Sequence, residues 1–168
     1  MQLTRYTDYA IRVLLHVGAR DEGSLSSISE IASIYGISKS HLMKVVQDLG
    51  QAGFLTTVRG RNGGLKLGRD ARAITIGEIV RHAEQGFDLV DCSSCIIAPA
   101  CGLPNILNEA TQAFLAVLDR YTLADVLSRR ADLRGLFGGF QPLAKTIKRV
   151  AEKAEPDVAD AERTSTDT

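Results

Sequence analysis

All three cysteines of the 168-residue chain fall within ten positions, as Cys92-Ser93-Ser94-Cys95 followed, after Ile96-Ile97-Ala98-Pro99-Ala100, by Cys101. Scattered cysteine is a small buried hydrophobe, but thiolates gathered this closely are soft ligands suited to zinc, copper(I) or an iron-sulfur centre. A tetrahedral metal or a small cluster needs four ligands, so three sulfurs leave one to come from a non-cysteine side chain, another subunit or a bound small molecule. An odd number of cysteines makes no closed disulfide framework, and the chain has no signal-peptide pattern. A reducing cytoplasm is the expected location. Cys-x2-Cys-x5-Cys is not a common zinc-finger spacing, so spacing alone leaves open a cluster, structural zinc, redox-active thiols and merely structural ones. Cys-x2-Cys is also the spacing of thioredoxin-like motifs, which stand at a helix start between strands. No such alternation surrounds it here, and no glycine-rich dinucleotide loop, phosphate loop or nucleophile elbow is present, so a thiol redox enzyme is the weaker reading and no catalytic residue is expected.

A chain of this length with 45% hydrophobic residues can bury the core of one domain plus a few appended elements, and no apolar run is long enough for a membrane span. The formal net charge of zero hides an uneven distribution. Between Ser38 and Arg72, Lys39, Lys44, Arg59, Arg61, Lys66, Arg69 and Arg72 face only Asp48 and Asp70, whereas acids dominate from Ala151 onward. A basic patch on a neutral protein points to nucleic acid, with a solvated face as the plainer alternative.

The elements that would position these groups follow from caps and periodicity. Thr4 can cap a helix from Arg5 to Ala19 with Ala10, Val13, Leu14 and Val17 on its apolar face. Ser27-Ile28-Ser29-Glu30 has the form of a capping box opening a short helix to Tyr35, in which the glutamate reaches back to the cap. Gly36 supplies a turn, and Ser38 can cap a third helix to about Ala52 with Leu42, Val45, Val46 and Leu49 inward. Ser40, Lys44, Gln47 and Gln51 then fall on the opposite face, with His41 and Met43 on its flanks. Phe54–Val58 and Leu65–Leu67 read as strands of a hairpin wing around Arg59, Arg61 and Asn62. Helix, helix, turn, helix and wing in that order, with positive charge on the last two, predict a mainly α fold with a small β wing: a winged helix-turn-helix in which Ser38, Lys39, Ser40, His41, Lys44, Gln47, Arg59, Arg61 and Asn62 face DNA.

Thr75-Ile76-Gly77-Glu78 is a second capping-box pattern, opening a fourth helix to about Gln85. After the cysteine loop, Pro104 suits a first turn, and Leu103, Ile106, Leu107, Ala110, Phe114, Val117, Leu118 and Tyr121 mark a long helix with an apolar face too broad for one small domain to cover. This is read as a dimerisation helix. Thr122 with Asp125 caps a short helix to about Ser128, Leu143–Ala154 has weak helical character, and the end from Glu155 is polar enough to stay disordered. The expected organisation is a DNA-binding domain over 1–85, a cluster loop over 86–102, a dimerisation segment over 103–130 and a partly disordered tail over 131–168.

Several stretches resemble the bacterial winged-helix transcription regulators that carry an iron-sulfur cluster: Thr7-Asp8-Tyr9-Ala10, Tyr35-Gly36-Ile37-Ser38 with His41-Leu42-Met43-Lys44-Val45-Val46, Val58-Arg59-Gly60-Arg61-Asn62-Gly63-Gly64, the three cysteines, and Leu118-Asp119-Arg120-Tyr121-Thr122-Leu123-Ala124-Asp125. Ser93-Ser94, Ala98-Pro99-Ala100-Cys101 and Tyr121–Asp125 are most similar to the nitric-oxide-sensing branch. The resemblance covers Met1 to about Ser128. It implies a cytoplasmic homodimer, not membrane-bound, that holds a 2Fe-2S or 4Fe-4S iron-sulfur cluster, represses from a partly palindromic double-stranded DNA operator, and releases it when nitric oxide attacks the cluster. A related regulator of iron-sulfur status or redox state is the alternative. By position Cys92, Cys95 and Cys101 look like the cluster ligands. The resemblance places the fourth on Asp8 of the opposite subunit, with Glu84, Asp88, Asp91 and His82 as other candidates. The two-residue gap between the first cysteines is shorter than the four or five of the family's pattern.

Overall fold

The computed structural model describes residues 2–21, 23–84 and 86–139. The first helix, α1 (Arg5–Ala19), opens where the Thr4 hydroxyl accepts the Thr7 N–H at 3.3 Å, and buries Ala10, Val13, Leu14 and Val17. It forms the centre of the core, packed by α2 (Ile28–Tyr35), α3 (Lys39–Gln51), the antiparallel hairpin β1 (Leu55–Val58) and β2 (Gly64–Leu67), and α4 (Ile76–Ala83). Helix α3 turns Leu42, Val45, Val46 and Leu49 into that core. Strands β1 and β2 pair Leu55 with Leu67 and Val58 with Gly64. Ser26 and Leu65 exchange backbone hydrogen bonds of 3.1 and 2.8 Å, fastening the wing to the segment before α2. The winged helix-turn-helix arrangement is present as the sequence pattern predicts.

Two capping patterns resolve differently from expectation. Ser27 and Thr75 each accept the N–H of the residue three positions on, but Glu30 and Glu78 do not reach back to their caps. Glu30 pairs with Arg20 and Glu78 with Arg69, because an arginine brought close by the fold offers a charged donor in place of a backbone N–H. Among the described residues, only Thr122 and Asp125 form the complete reciprocal box, at 3.2 and 2.7 Å.

Beyond the cysteine loop, α5 (Leu103–Asp119) lies along α4, and α6 (Leu123–Val126) leads through a single 3₁₀ turn at Leu127–Arg129 into α7 (Arg130–Gly139). Leu123 and Leu127 join the core around α1. Residues 131–139, expected as the start of a tail, are helical in α7 despite their glycines. Leu133 and Phe137 pack against the core, and that tertiary burial outweighs the low helix propensity of glycine. The Phe137 ring lies 4.6 Å from the imidazole of His16, which is fully buried on α1 with no hydrogen-bond partner among the described residues. Burial, and then the nearby Arg20 charge, push the His16 pKa down to about 4. The weak helix expected over 143–154 and the polar end lie outside the described residues.

Candidate nucleic-acid interface and metal-binding loop

Every residue expected to face DNA is solvent-exposed: Ser38 at the N-cap of α3, Lys39, Ser40, His41, Lys44 and Gln47 on the helix, and Arg59, Arg61 and Asn62 at the wing tip. The Ser38 hydroxyl accepts the His41 N–H at 3.3 Å and also meets the Ser40 hydroxyl at 3.3 Å, so this serine fixes the entry of α3 as well as standing on its exposed face. At the wing tip Gly60 takes φ 119°, and a Cβ on Gly63 would stand 2.2 Å from the Val58 carbonyl oxygen, so a side chain there would break the turn that projects the arginines. Arg59 and Arg61 belong to no ion pair among the described residues.

One member of the basic patch has a structural use instead. Arg69 is paired with Glu78, donates to the Ala73 carbonyl at 3.2 Å and lies 4.9 Å from the centre of the Phe54 ring. It joins the base of the wing to α4, and its charge is largely spent there. Asp48, which counts in the sequence only as an acid among the bases, is the anchor of α3. Its Oδ2 accepts the Tyr6 hydroxyl at 2.6 Å and meets His82 Nε2 at 2.8 Å, tying the recognition helix to α1 and α4. Burial first, and then the bond to Asp48, raise the Tyr6 pKa, so the phenol stays protonated as the donor.

Helix α4 is tied on two further sides. Arg81 forms a bidentate pair with Asp119 of α5, and Glu84 Oε1 accepts the Thr4 N–H at 2.8 Å and the Thr7 hydroxyl at 2.5 Å at the start of α1. Burial raises the Glu84 carboxyl, but the hydrogen bonds from Thr7 and Thr4 outweigh it and leave the group below its ordinary pKa. The helix ends here, with Glu84 as its C-cap.

Directly after α4 comes the cysteine loop, built from consecutive turns. The Asp91 carboxylate accepts the Ser93 N–H and hydroxyl at 2.9 and 2.6 Å, the Cys95 N–H donates to Cys92 O, the Ala98 N–H to Cys95 O, and the Cys101 N–H to Ala98 O. All three thiols are free; Cys95 is exposed and Cys92 and Cys101 are half-buried. Cys92, Asp88 and Asp91 stand on the wall of a cleft of about 600 Å³ that opens towards Pro104, Leu107 and Asn108 of α5. Within the single chain, the described residues include no group of three or more His, Cys, Asp or Glu side chains arranged to hold a metal ion. Asp8 stays on α1 and pairs with Arg12 at 2.8 Å, while His82 and Glu84 are engaged with α3 and α1. The donor chemistry still fits thiolate coordination, since three free sulfurs share a loop of short turns, one of them the 3₁₀ turn Ala98–Ala100, that borders open volume.

The outer side of α5 leaves Leu103, Ile106, Ala110, Ala113 and Val117 exposed at alternating spacings of three and four, while Thr111 and Leu115 are buried against the body of the fold. No described helix is long and apolar enough to cross a membrane.

The family described as "Rrf2: Iron-dependent Transcriptional regulator" matches residues 3–129. The HTH-type transcriptional regulator NsrR of Bacillus subtilis is 50% identical over 141 residues, covering 81% of this chain and 97% of the relative. The protein of the same name from Geobacillus kaustophilus is 49% identical over 141 residues, covering 81% and 96%. Among solved structures, T. potens IscR superposes with a TM-score of 0.63 at 26% identity, covering 77% of this chain and 88% of that one. CymR, the global cysteine regulator of B. subtilis, does so with a TM-score of 0.60 at 25% identity, covering 77% and 98%. The family and the two NsrR proteins are described as transcriptional regulators.

Proposed function

Because the chain belongs to the Rrf2 family of iron-dependent transcriptional regulators, we propose that it represses genes from a DNA operator while Cys92, Cys95 and Cys101 hold an iron-sulfur cluster, and releases the operator on exposure to nitric oxide. The observation that carries this reading is the placement of all three free thiols on the one loop joining the DNA-reading half to α5. When bound, such a cluster supplies iron that a small diatomic can attack, most readily at a ligand other than thiolate.

The chain's own residues supply the reading head and its supports. Ser40, His41, Lys44 and Gln47 present donors and acceptors to base edges in a major groove, and Arg59, Arg61 and Asn62 reach the phosphates or the adjacent minor groove. Helix α4 stands between loop and head. Through His82 it holds Asp48 of α3, through Glu84 the start of α1, and through Arg81 the end of α5. A change in the loop that moves α4 therefore acts on the recognition helix. Only a modest shift is required, since a binding-competent state held at about 1% weakens apparent affinity by about a hundredfold. The exposed stripe on α5 suits a homodimer, which would set the separation of two heads on half-sites about one or more helical turns apart. Asp8, half-buried near the start of α1, is our candidate for the fourth ligand, given by the partner chain. A regulator working in this way would reside in the cytoplasm.

The test is anaerobic purification followed by absorption spectroscopy and DNA binding before and after nitric oxide. Brown protein that binds DNA and loses that binding with nitric oxide supports the reading. Iron-loaded protein whose DNA binding ignores nitric oxide but follows cluster loss would identify the related regulator of iron-sulfur status. Stoichiometric zinc without iron or sulfide would remove the cluster altogether.

A further inference from the structure

A cleft of about 200 Å³ lies between the first turns of α1 and the exposed flank of α3, walled by Tyr6, Tyr9 and Val45 and rimmed by Arg5, His41 and Lys44. We propose that this cleft seats one backbone phosphate of the bound duplex, with Arg5 as a DNA contact supplied by α1 in addition to the recognition helix and the wing. The inference rests on the DNA-binding reading and extends it to a helix outside the basic patch of residues 38–72.

Charge is the first argument. Three arginines stand on or beside α1: Arg12 is neutralised by Asp8 and Arg20 by Glu30, while Arg5 belongs to no ion pair among the described residues. Lys44 is likewise in no ion pair among them, and Asp48, one turn beyond Lys44, has its Oδ2 engaged by Tyr6 and His82. Two cations on one rim, with the carboxylates one turn from each, Asp8 and Asp48, already engaged by Arg12 and by Tyr6 and His82, make a site for an anion rather than a solvated pair.

Shape and rigidity are the second. The hydrogen bond from Tyr6 to Asp48 fixes that ring as a wall, so the cleft is formed before any ligand arrives. Tyrosine rings with a cationic rim match a deoxyribose face beside its phosphate. Position is the third. A helix lying in a major groove about 12 Å wide is flanked by phosphates, and a helix packed about 8–10 Å from it stands over one of those strands. His41 and Lys44 are shared between the recognition face and the cleft, which places Arg5 on the backbone bordering the bases that α3 would read.

A phosphate contact is independent of sequence, so the test needs only a random-sequence duplex and the full-length holo-protein, followed by fluorescence anisotropy over a salt series. Arg5→Gln should lower the slope of log K against log salt by about 0.9, while Arg5→Lys keeps the slope of the unmodified protein. Arg129→Gln, which removes the same charge from an exposed site beside Asp132, should leave the slope unchanged and so excludes an effect of net charge. Arg5→Gln with an unaltered slope, while Lys44→Gln lowers it, would overturn the proposal and leave the DNA-binding reading standing. If no substitution at Arg5, Lys44, Arg59 or Arg61 alters the slope, that reading falls and this inference with it.

Discussion

Arg81 on α4 and Asp119 on α5 meet as a planar fork, Nη1 on Oδ1 and Nη2 on Oδ2, both at 2.5 Å. The pair has room only because residue 77 is glycine: a Cβ there would stand 2.0 Å from Asp119 Oδ1. Gly77→Ala should therefore displace the carboxylate and act mainly by breaking the pair, although alanine favours the helix. Asp119→Asn removes the same interaction. In a double-mutant cycle read by chemical denaturation, the second substitution is expected to add almost nothing to the first. Additive losses would show that Gly77 matters for another reason.

For the thiols, anaerobically prepared protein should be brown, and Cys92→Ala, Cys95→Ala or Cys101→Ala should each lose the visible absorption while keeping the helical circular dichroism. The loop lies outside the core, so removing one thiol leaves the packing around α1 intact. A cluster retained in all three variants would contradict the assignment.

Wing and recognition helix should separate by kind of effect. Arg59→Ala or Arg61→Ala is expected to weaken binding to operator and random duplexes alike and to reduce the salt slope, whereas Ser40→Ala or Gln47→Ala should relax preference for the operator. Gel-shift titrations at several salt concentrations make the comparison. Equal losses on both kinds of DNA for the helix variants would contradict this division.

Asp8 offers a cleaner test than Glu84 of the proposed ligand from a partner chain. Its carboxylate is nearly half exposed and, among the described residues, pairs only with Arg12 one turn on, so Asp8→Ala should cost no more than about 0.5 kcal/mol of stability. Removing Glu84 would instead strip Thr4 and Thr7 of their acceptor. An iron-loaded, folded Asp8→Ala dimer with an altered visible spectrum and changed stopped-flow kinetics with nitric oxide is the expected result. An unchanged spectrum with unchanged kinetics would remove Asp8 from the ligand set.

His16 gives a pH dependence of definite sign. Its folded pKa, about 4, lies below the ordinary 6.5, so between those values the unfolded chain binds the extra proton and the folded chain does not. Stability should fall as pH is lowered through that window, by about 3 kcal/mol in all. Denaturation at pH 7, 6 and 5 should show the decline, and His16→Leu should flatten it. The carboxylates with depressed pKa values, Glu84 among them, contribute their own loss only at lower pH.

Most of the helices and the wing are legible in the sequence because their signals are local. Thr4, Ser27, Ser38, Thr75 and Thr122 each stand directly before an apolar stripe, and each caps as its position implies. What sequence periodicity could not reveal depends on partners far apart in the chain. Asp48 meets a histidine 34 positions on, Arg81 an aspartate 38 positions on, and the glutamates of two apparent capping boxes are drawn off by arginines. Helix α7 was hidden for the same reason, since Gly135, Gly138 and Gly139 argue against a helix until Phe137 finds His16. The three thiols stand out by type and spacing, whereas the proposed fourth ligand, on a partner chain, has no spacing signal that ties it to the cysteine loop.

The central place of α1 also bears on the order in which the molecule is made. Its buried face is covered by β2, α3, α4, α6 and α7, all of which follow it in the chain, and α7 closes on it from more than a hundred residues away. During synthesis at about 5–20 residues per second, that apolar face therefore stays uncovered for several seconds. Such long-range closure slows folding relative to a bundle of sequential neighbours. Chains interrupted before Phe137 would lack one of the two rings packed on the His16 imidazole and the last cover of the α1 face, which exposes them to aggregation and to chaperone capture.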